Sequence, residues 1–210
     1  MKIDTNENAR VIRSIATKFE TREENAEPTI EGYFAVFDGT YDIAEGMSES
    51  VDRHAFDNTL DGDIRALTDH DTTLVLGRTT NGTLELKTDE HGLWGKIRIN
   101  PNDSDAMNLY ERVKRGDVSQ CSFGFEIIRE ESEVFDDGSI HWTILEVKLY
   151  EVSCCTFPAY QDTSIEASRS ASALEIKKRN IDAWRCKMMS KLKGDIEDGI
   201  ESIDAQEETR

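Results

Sequence analysis

Between Ala9 and Ser168, short apolar runs are punctuated by tight-turn signals, and that spacing leaves little room for long helices. Ile30 to Phe37 ends at Asp38-Gly39. Leu74-Val75-Leu76, Leu84-Glu85-Leu86 and Leu93 to Ile99 are separated by Asn81-Gly82 and His91-Gly92. An acidic hairpin tip, Asp136-Asp137-Gly138, divides Ser119 to Ile128 from a long run, His141 to Phe157, closed by Pro158. With Val11 to Phe19, these segments predict a mainly β (α+β) domain, an antiparallel barrel or sandwich with helices on its flanks. Two helices are predicted within it. Ser50 to Leu60 has Ser50 as N-cap and Val51, Ala55 and Leu60 facing inward. The second follows Asn102-Asp103-Ser104, carries an Ala106, Met107, Tyr110 and Val113 stripe, and stops at Gly116.

From Ser170 the pattern changes. There is no proline and Trp184 is the only aromatic, while Ile181, Trp184, Met188, Leu192 and Ile196 recur at three- and four-residue steps. Residues 1–169 therefore read as one domain and 170–210 as an amphipathic helical tail, weakened in its second half by Gly194 and Gly199. Such a tail packs on its own domain, joins a partner helix, or is removable.

Composition narrows the function. With 43 acidic against 25 basic residues the net charge is -18, which repels phosphate backbones and argues against nucleic acid as a ligand. No apolar run approaches the ~20 residues needed to span a bilayer, and no apolar core follows Lys2, so neither membrane nor secretion is expected. Cys121, Cys154, Cys155 and Cys186 lack CxxC spacing and read as inert thiols, with Cys154 and Cys155 on opposite faces of a strand. There is no HExxH, no pair of histidines at helical spacing, no GxGxxG, no P-loop and no GxSxG elbow. No metal or cofactor is expected.

One segment can carry chemistry without either. In Cys121-Ser122-Phe123-Gly124-Phe125, read as a strand, Cys121, Phe123, Phe125 and Ile127 share an apolar face. Ser122, Gly124 and Glu126 share the other, which leaves open space around a lone hydroxyl. Such a pattern also suits a structural strand. A nucleophilic serine needs a base, usually histidine. His54 reads as a surface or packing residue, His91 belongs to a turn and His141 opens a strand. His70, in Ala66-Leu67-Thr68-Asp69-His70-Asp71, lies between an apolar stretch and a strand, with two carboxylates beside it. The bland alternative is an exposed polar loop. Glu151 follows Leu145, Val147 and Leu149 at period two, which places a carboxylate on an apolar face. Pairing with His70 would satisfy it; a bulge near Glu151 would instead turn it away. Asp69 and Asp71 are rivals for orienting the base.

Taken in order, several blocks resemble the prohead (capsid maturation) serine proteases of tailed bacteriophages. They are Ile30-Glu31-Gly32-Tyr33-Phe34-Ala35-Val36-Phe37, His54-Ala55-Phe56, Asp69-His70-Asp71 with Leu76-Gly77-Arg78, and Arg115-Gly116-Asp117. Cys121-Ser122-Phe123-Gly124-Phe125, Tyr150-Glu151-Val152-Ser153 and Thr156-Phe157-Pro158-Ala159-Tyr160 complete the set. The family often has glycine where His54 stands and methionine where Cys121 stands. The resemblance implies a closed antiparallel β-barrel flanked by a few helices, similar to herpesvirus assemblins. It implies Ser122 as nucleophile, His70 as base, Glu151 as the third member and Arg78 as an oxyanion helper or a structural ion pair. It further implies cleavage of major capsid protein and scaffold protein, and of the chain itself, inside an immature prohead in the host cytoplasm. A homodimer follows by the same analogy. The rival readings are a non-catalytic barrel that binds scaffold or shell, and an esterase using the same groups.

Overall fold

The computed structural model describes residues 11–16, 19–24, 27–37, 39–157 and 172–190. By its internal contacts the chain divides into Met1–Ile165 and Glu166–Arg210. The first unit contains two sheets. Its strands are β1 (Val11–Ala16), β2 (Glu20–Glu24), β3 (Glu27–Val36), β4 (Tyr41–Ala44), β5 (Met47–Val51), β6 (Arg65–Thr68), β7 (Asp71–Arg78), β8 (Leu84–Thr88), β9 (Gly92–Arg98), β10 (Gln120–Val134) and β11 (Ile140–Cys155).

The seven-stranded sheet runs β1-β10-β11-β5-β4, with β6 and β7 branching from β11, and the four-stranded sheet runs β2-β3-β9-β8. Neither sheet closes, so the expected closed barrel is not formed. The expectation of purely antiparallel pairing also fails, because β11 pairs in parallel with both β5 and β6. The physical reason lies in the length of β11. Its first residues, Ile140 to Ile144, hold β5, and its last, Glu151 to Cys154, hold β6, so the sheet forks instead of curling back on itself.

Between the sheets the core contains Ile30, Phe34, Phe56, Leu93, Ile97, Phe123, Phe125 and Val152, all but fully buried. Phe123 stacks on Phe125 at 4.8 Å between ring centroids, and Phe56 meets Phe123 edge-on at 5.7 Å. Gly95 is required where β9 crosses this layer, since a Cβ there would lie 2.7 Å from the Phe34 ring.

The helix α1 (Ser104–Arg115) forms as its capping residues predict. Asp103 accepts the backbone N–H groups of Asp105 and Ala106, and Gly116 ends it at φ 86°. Ala106, Leu109, Tyr110 and Val113 form its buried face. The helix expected over Ser50 to Leu60 is absent. Ser50 and Val51 belong to β5, and consecutive tight turns follow from Arg53 to Gly62, bonded Ala55 N–H to Asp52, Thr59 N–H to Phe56 and Gly62 N–H to Thr59. Its apolar residues anchor turns, not a helix: Ala55 and Phe56 are fully buried.

In the second unit the described residues form one helix, α2 (172–190), on which Ile181, Trp184 and Met188 are exposed. Leu192 and Ile196 of the expected stripe lie outside the described residues.

Candidate active site

Strand β10, which carries Ser122, is flanked by β1 on one side and β11 on the other. Ser122 is opposite Ser14 of β1 and Ser153 of β11. Directly opposed residues in an antiparallel pair share a face, with Cβ atoms ~4.5–5.5 Å apart. Gln120, Ser122 and Gly124 of β10 therefore share a face with their opposites Cys155, Ser153 and Glu151. Gly124 presents no side chain opposite the Glu151 carboxylate. Ser122 is fully buried, and its hydroxyl donates to the Arg13 carbonyl at 2.8 Å. The open space expected around that hydroxyl is filled.

Glu151 reaches this face by a route that strict alternation misses. Phe125 pairs with Leu149 but Gly124 pairs with Glu151, so Tyr150 is an extra residue in β11. The bulge reverses the phase of the strand. Leu149 is in the core before it and Val152 and Cys154 after it, while Glu151, Ser153 and Cys155 turn to the Ser122 face. The carboxylate is nevertheless buried, at 1% exposure, because the turn between β6 and β7 lies over it.

That turn carries His70. Asp69 and His70 have φ of 47° and 61°, the only non-glycine residues at positive φ among those described. Consecutive left-handed residues cost on the order of 1–3 kcal/mol each and need support from their surroundings. The support comes from β11. Asp69 N–H donates to Cys154 O at 3.0 Å, and the Asp69 carboxylate accepts Thr156 N–H at 2.8 Å and the Thr156 hydroxyl at 3.2 Å. The result sets His70 Nδ1 2.7 Å from Glu151 Oε1, with the His70 side chain 19% exposed.

With Nδ1–H donated to the carboxylate, Nε2 carries the lone pair, the tautomer a general base requires. Nε2 faces the Cys155 thiol at 3.8 Å. Burial, reinforced by the negative charges of Asp69 and Glu151, pushes that thiol up to about 12, so it stays protonated at neutral pH. Ser122, across the strand pair, carries its hydroxyl on the same face, as does Ser153.

The remaining sequence candidates are placed elsewhere. Asp69 is held by Thr156, and Asp71 accepts from the backbone and hydroxyl of Thr73. His54 pairs with Asp57 on the surface at 2.9 Å. His91 packs edge-on against Tyr33 at 4.5 Å, and His141 lies between the hydroxyls of Ser48 and Ser50 at 2.8 Å each. Arg78 forms a forked pair with Asp63, both contacts 2.6 Å, and this guanidinium holds the Asp63 carboxyl down to about 2.

Sequence reasoning missed two residues. Arg13, spanning from β1 to β5, grips Glu49 with contacts of 2.5 and 2.8 Å, both side chains buried. Ser153 donates to Glu151 Oε2 at 2.6 Å. Arg13 and Glu49 lie 36 positions apart, beyond any local pattern, whereas Ser153 follows Glu151 by two on one strand, a same-face spacing that could have marked it.

The prohead protease of Enterobacteria phage HK97 is 28% identical over 158 residues, covering 73% of this chain and 65% of that protein. The chain thus spans slightly under two thirds of that relative's length. The structure of the bacteriophage T4 capsid assembly protease aligns with a TM-score of 0.47 at 10% identity, over 71% of this chain and 99% of that one. Residues 14–178 match the family described as Caudovirus prohead serine protease, and the chain belongs to that family.

Proposed function

We propose that the chain is a serine endopeptidase that cleaves capsid and scaffold proteins, and itself, inside the immature prohead in the host cytoplasm. The observation that carries this reading is the His70–Glu151 pair at 2.7 Å, on the strand face that Ser122 shares. Family membership supplies the reaction class, and the names of the relatives supply the setting.

In this mechanism the Ser122 hydroxyl turns about its Cα–Cβ bond from the Arg13 carbonyl towards Nε2 of His70. The lone pair on Nε2 takes the hydroxyl proton as Oγ attacks the scissile carbonyl. Glu151, already bonded to Nδ1–H, stabilises the imidazolium. His70 then returns the proton to the leaving amine, and water attacks the acyl-serine by the same route in reverse. Backbone N–H groups would hold the oxyanion. Arg78 serves as a structural partner of Asp63, to which its Nε and Nη2 both donate.

Co-expression with capsid protein and scaffold tests the proposal. Wild type yields cleavage products and Ser122→Ala yields none, since loss of such a nucleophile costs on the order of 10⁶ in kcat. Equal processing by both forms would remove Ser122 from the mechanism. Absence of processing by either would favour the non-catalytic assembly role.

A further inference from the structure

The hydroxyl of Ser153 occupies a position that the mechanism above does not use. It is fully buried and makes two bonds at once. It donates its one proton to Glu151 Oε2 at 2.6 Å and accepts the backbone N–H of His70 at 3.3 Å. The first bond saturates one oxygen of a buried carboxylate and leaves Oε1 for the imidazole. The second ties down the backbone of a residue in a strained left-handed conformation.

We propose that Ser153 is a positioning residue: it fixes the rotamer of the Glu151 carboxylate and the backbone of His70 together, and so sets the strength of the bond between them. The inference rests on the reading of His70 as base.

The direction of its effect follows from charge. A donor to Oε2 draws negative charge away from Oε1. Removing it concentrates charge on the oxygen facing Nδ1 and stabilises the imidazolium. The other titratable groups at this ring are Cys155 from β11, whose thiol stays protonated, and Asp69 and Asp71 of its own turn, whose carboxylates are held by Thr156 and Thr73. None of these is altered when Ser153 is replaced.

The test is nitrogen-15 NMR of the imidazole groups in the full chain, which has four histidines, in a Ser122→Ala background that prevents self-cleavage. His70→Gln assigns the signal. Ser153→Ala is expected to move the His70 titration midpoint upward, the direction set by the charge returned to Oε1. Thr156→Ala, which loosens the same turn without touching Glu151, is expected to leave it in place. In the cleavage assay, with Ser122 intact, Ser153→Ala lowers kcat by on the order of 10- to 10²-fold with KM unchanged, because the misaligned imidazole and carboxylate cost more than the added imidazolium stability returns.

An unmoved midpoint in Ser153→Ala, or an equal movement in Thr156→Ala, overturns the proposal. If Ser153→Ala does not fold, Ser153→Cys keeps the volume with a weak donor, and its midpoint must move in the same direction. The two levels of the account fail separately. Cleavage by His70→Ala would refute the catalytic reading, whereas a fixed midpoint alongside an inactive His70→Ala would refute only the role of Ser153.

Discussion

Replacing Glu151 by Gln changes one charge at the base of the site and almost no volume. The amide oxygen can still accept Nδ1–H, and the amide N–H₂ can donate to Ser153 Oγ, so the wild-type tautomer survives. What is lost is the negative charge opposite the imidazolium as it forms. With Nδ1 2.7 Å from Oε1, the charge centres lie ~4 Å apart, and at an effective dielectric of ~20 their attraction is about 4 kcal/mol. If that attraction is realised only once the proton has moved to His70, its loss slows acylation by about 10³. Stability moves little, since a buried carboxylate gives way to a cheaper neutral amide. The assay is a time course of capsid-protein cleavage on gels at matched expression, with thermal unfolding of each purified chain alongside. A slowing of less than tenfold, with the fold intact, would show that Glu151 does not support the imidazolium and would refute this reasoning.

Two further outcomes follow from the geometry. Glu49→Ala leaves the buried Arg13 guanidinium without its partner and is expected to cost about 3–5 kcal/mol in urea unfolding, while Arg13→Met with Glu49→Leu recovers most of it; a single-variant loss below ~1 kcal/mol would mean the pair is effectively solvated. Cys155→Ala is expected to cleave within a few-fold of wild type, because a thiol held up at about 12 supplies no thiolate at neutral pH; loss of cleavage in that variant would put the thiol in the reaction.

The sequence announced the parts of this protein whose causes are local. The α1 helix is bounded where Asp103 and Gly116 bound it, because a cap bonds to residues two to four positions away. The meeting of His70 and Glu151 was legible too, but by an argument only half sound. Period two placed Glu151 beside Leu149, whereas the Tyr150 bulge sends them to opposite faces. The carboxylate found its partner because burying it unpaired is costly on either face. The fork at β11 that replaces the closed barrel was not legible, because its parallel pairings with β5 and β6 join residues about 90 positions apart, and short-range turn signals carry no information about them. The same limit hid the burial of Ser122 beneath its bond to Arg13, 109 residues away.

The central claim is that Ser122 is the attacking oxygen and His70 Nε2 the group that activates it. Treating co-expressed assemblies with a fluorophosphonate, then locating the adduct by peptide mass spectrometry, tests this directly. The account predicts one adduct, on the peptide carrying Ser122, lost in Ser122→Ala and strongly reduced in His70→Ala. An adduct on another residue, or labelling of Ser122 that is indifferent to His70, would contradict it.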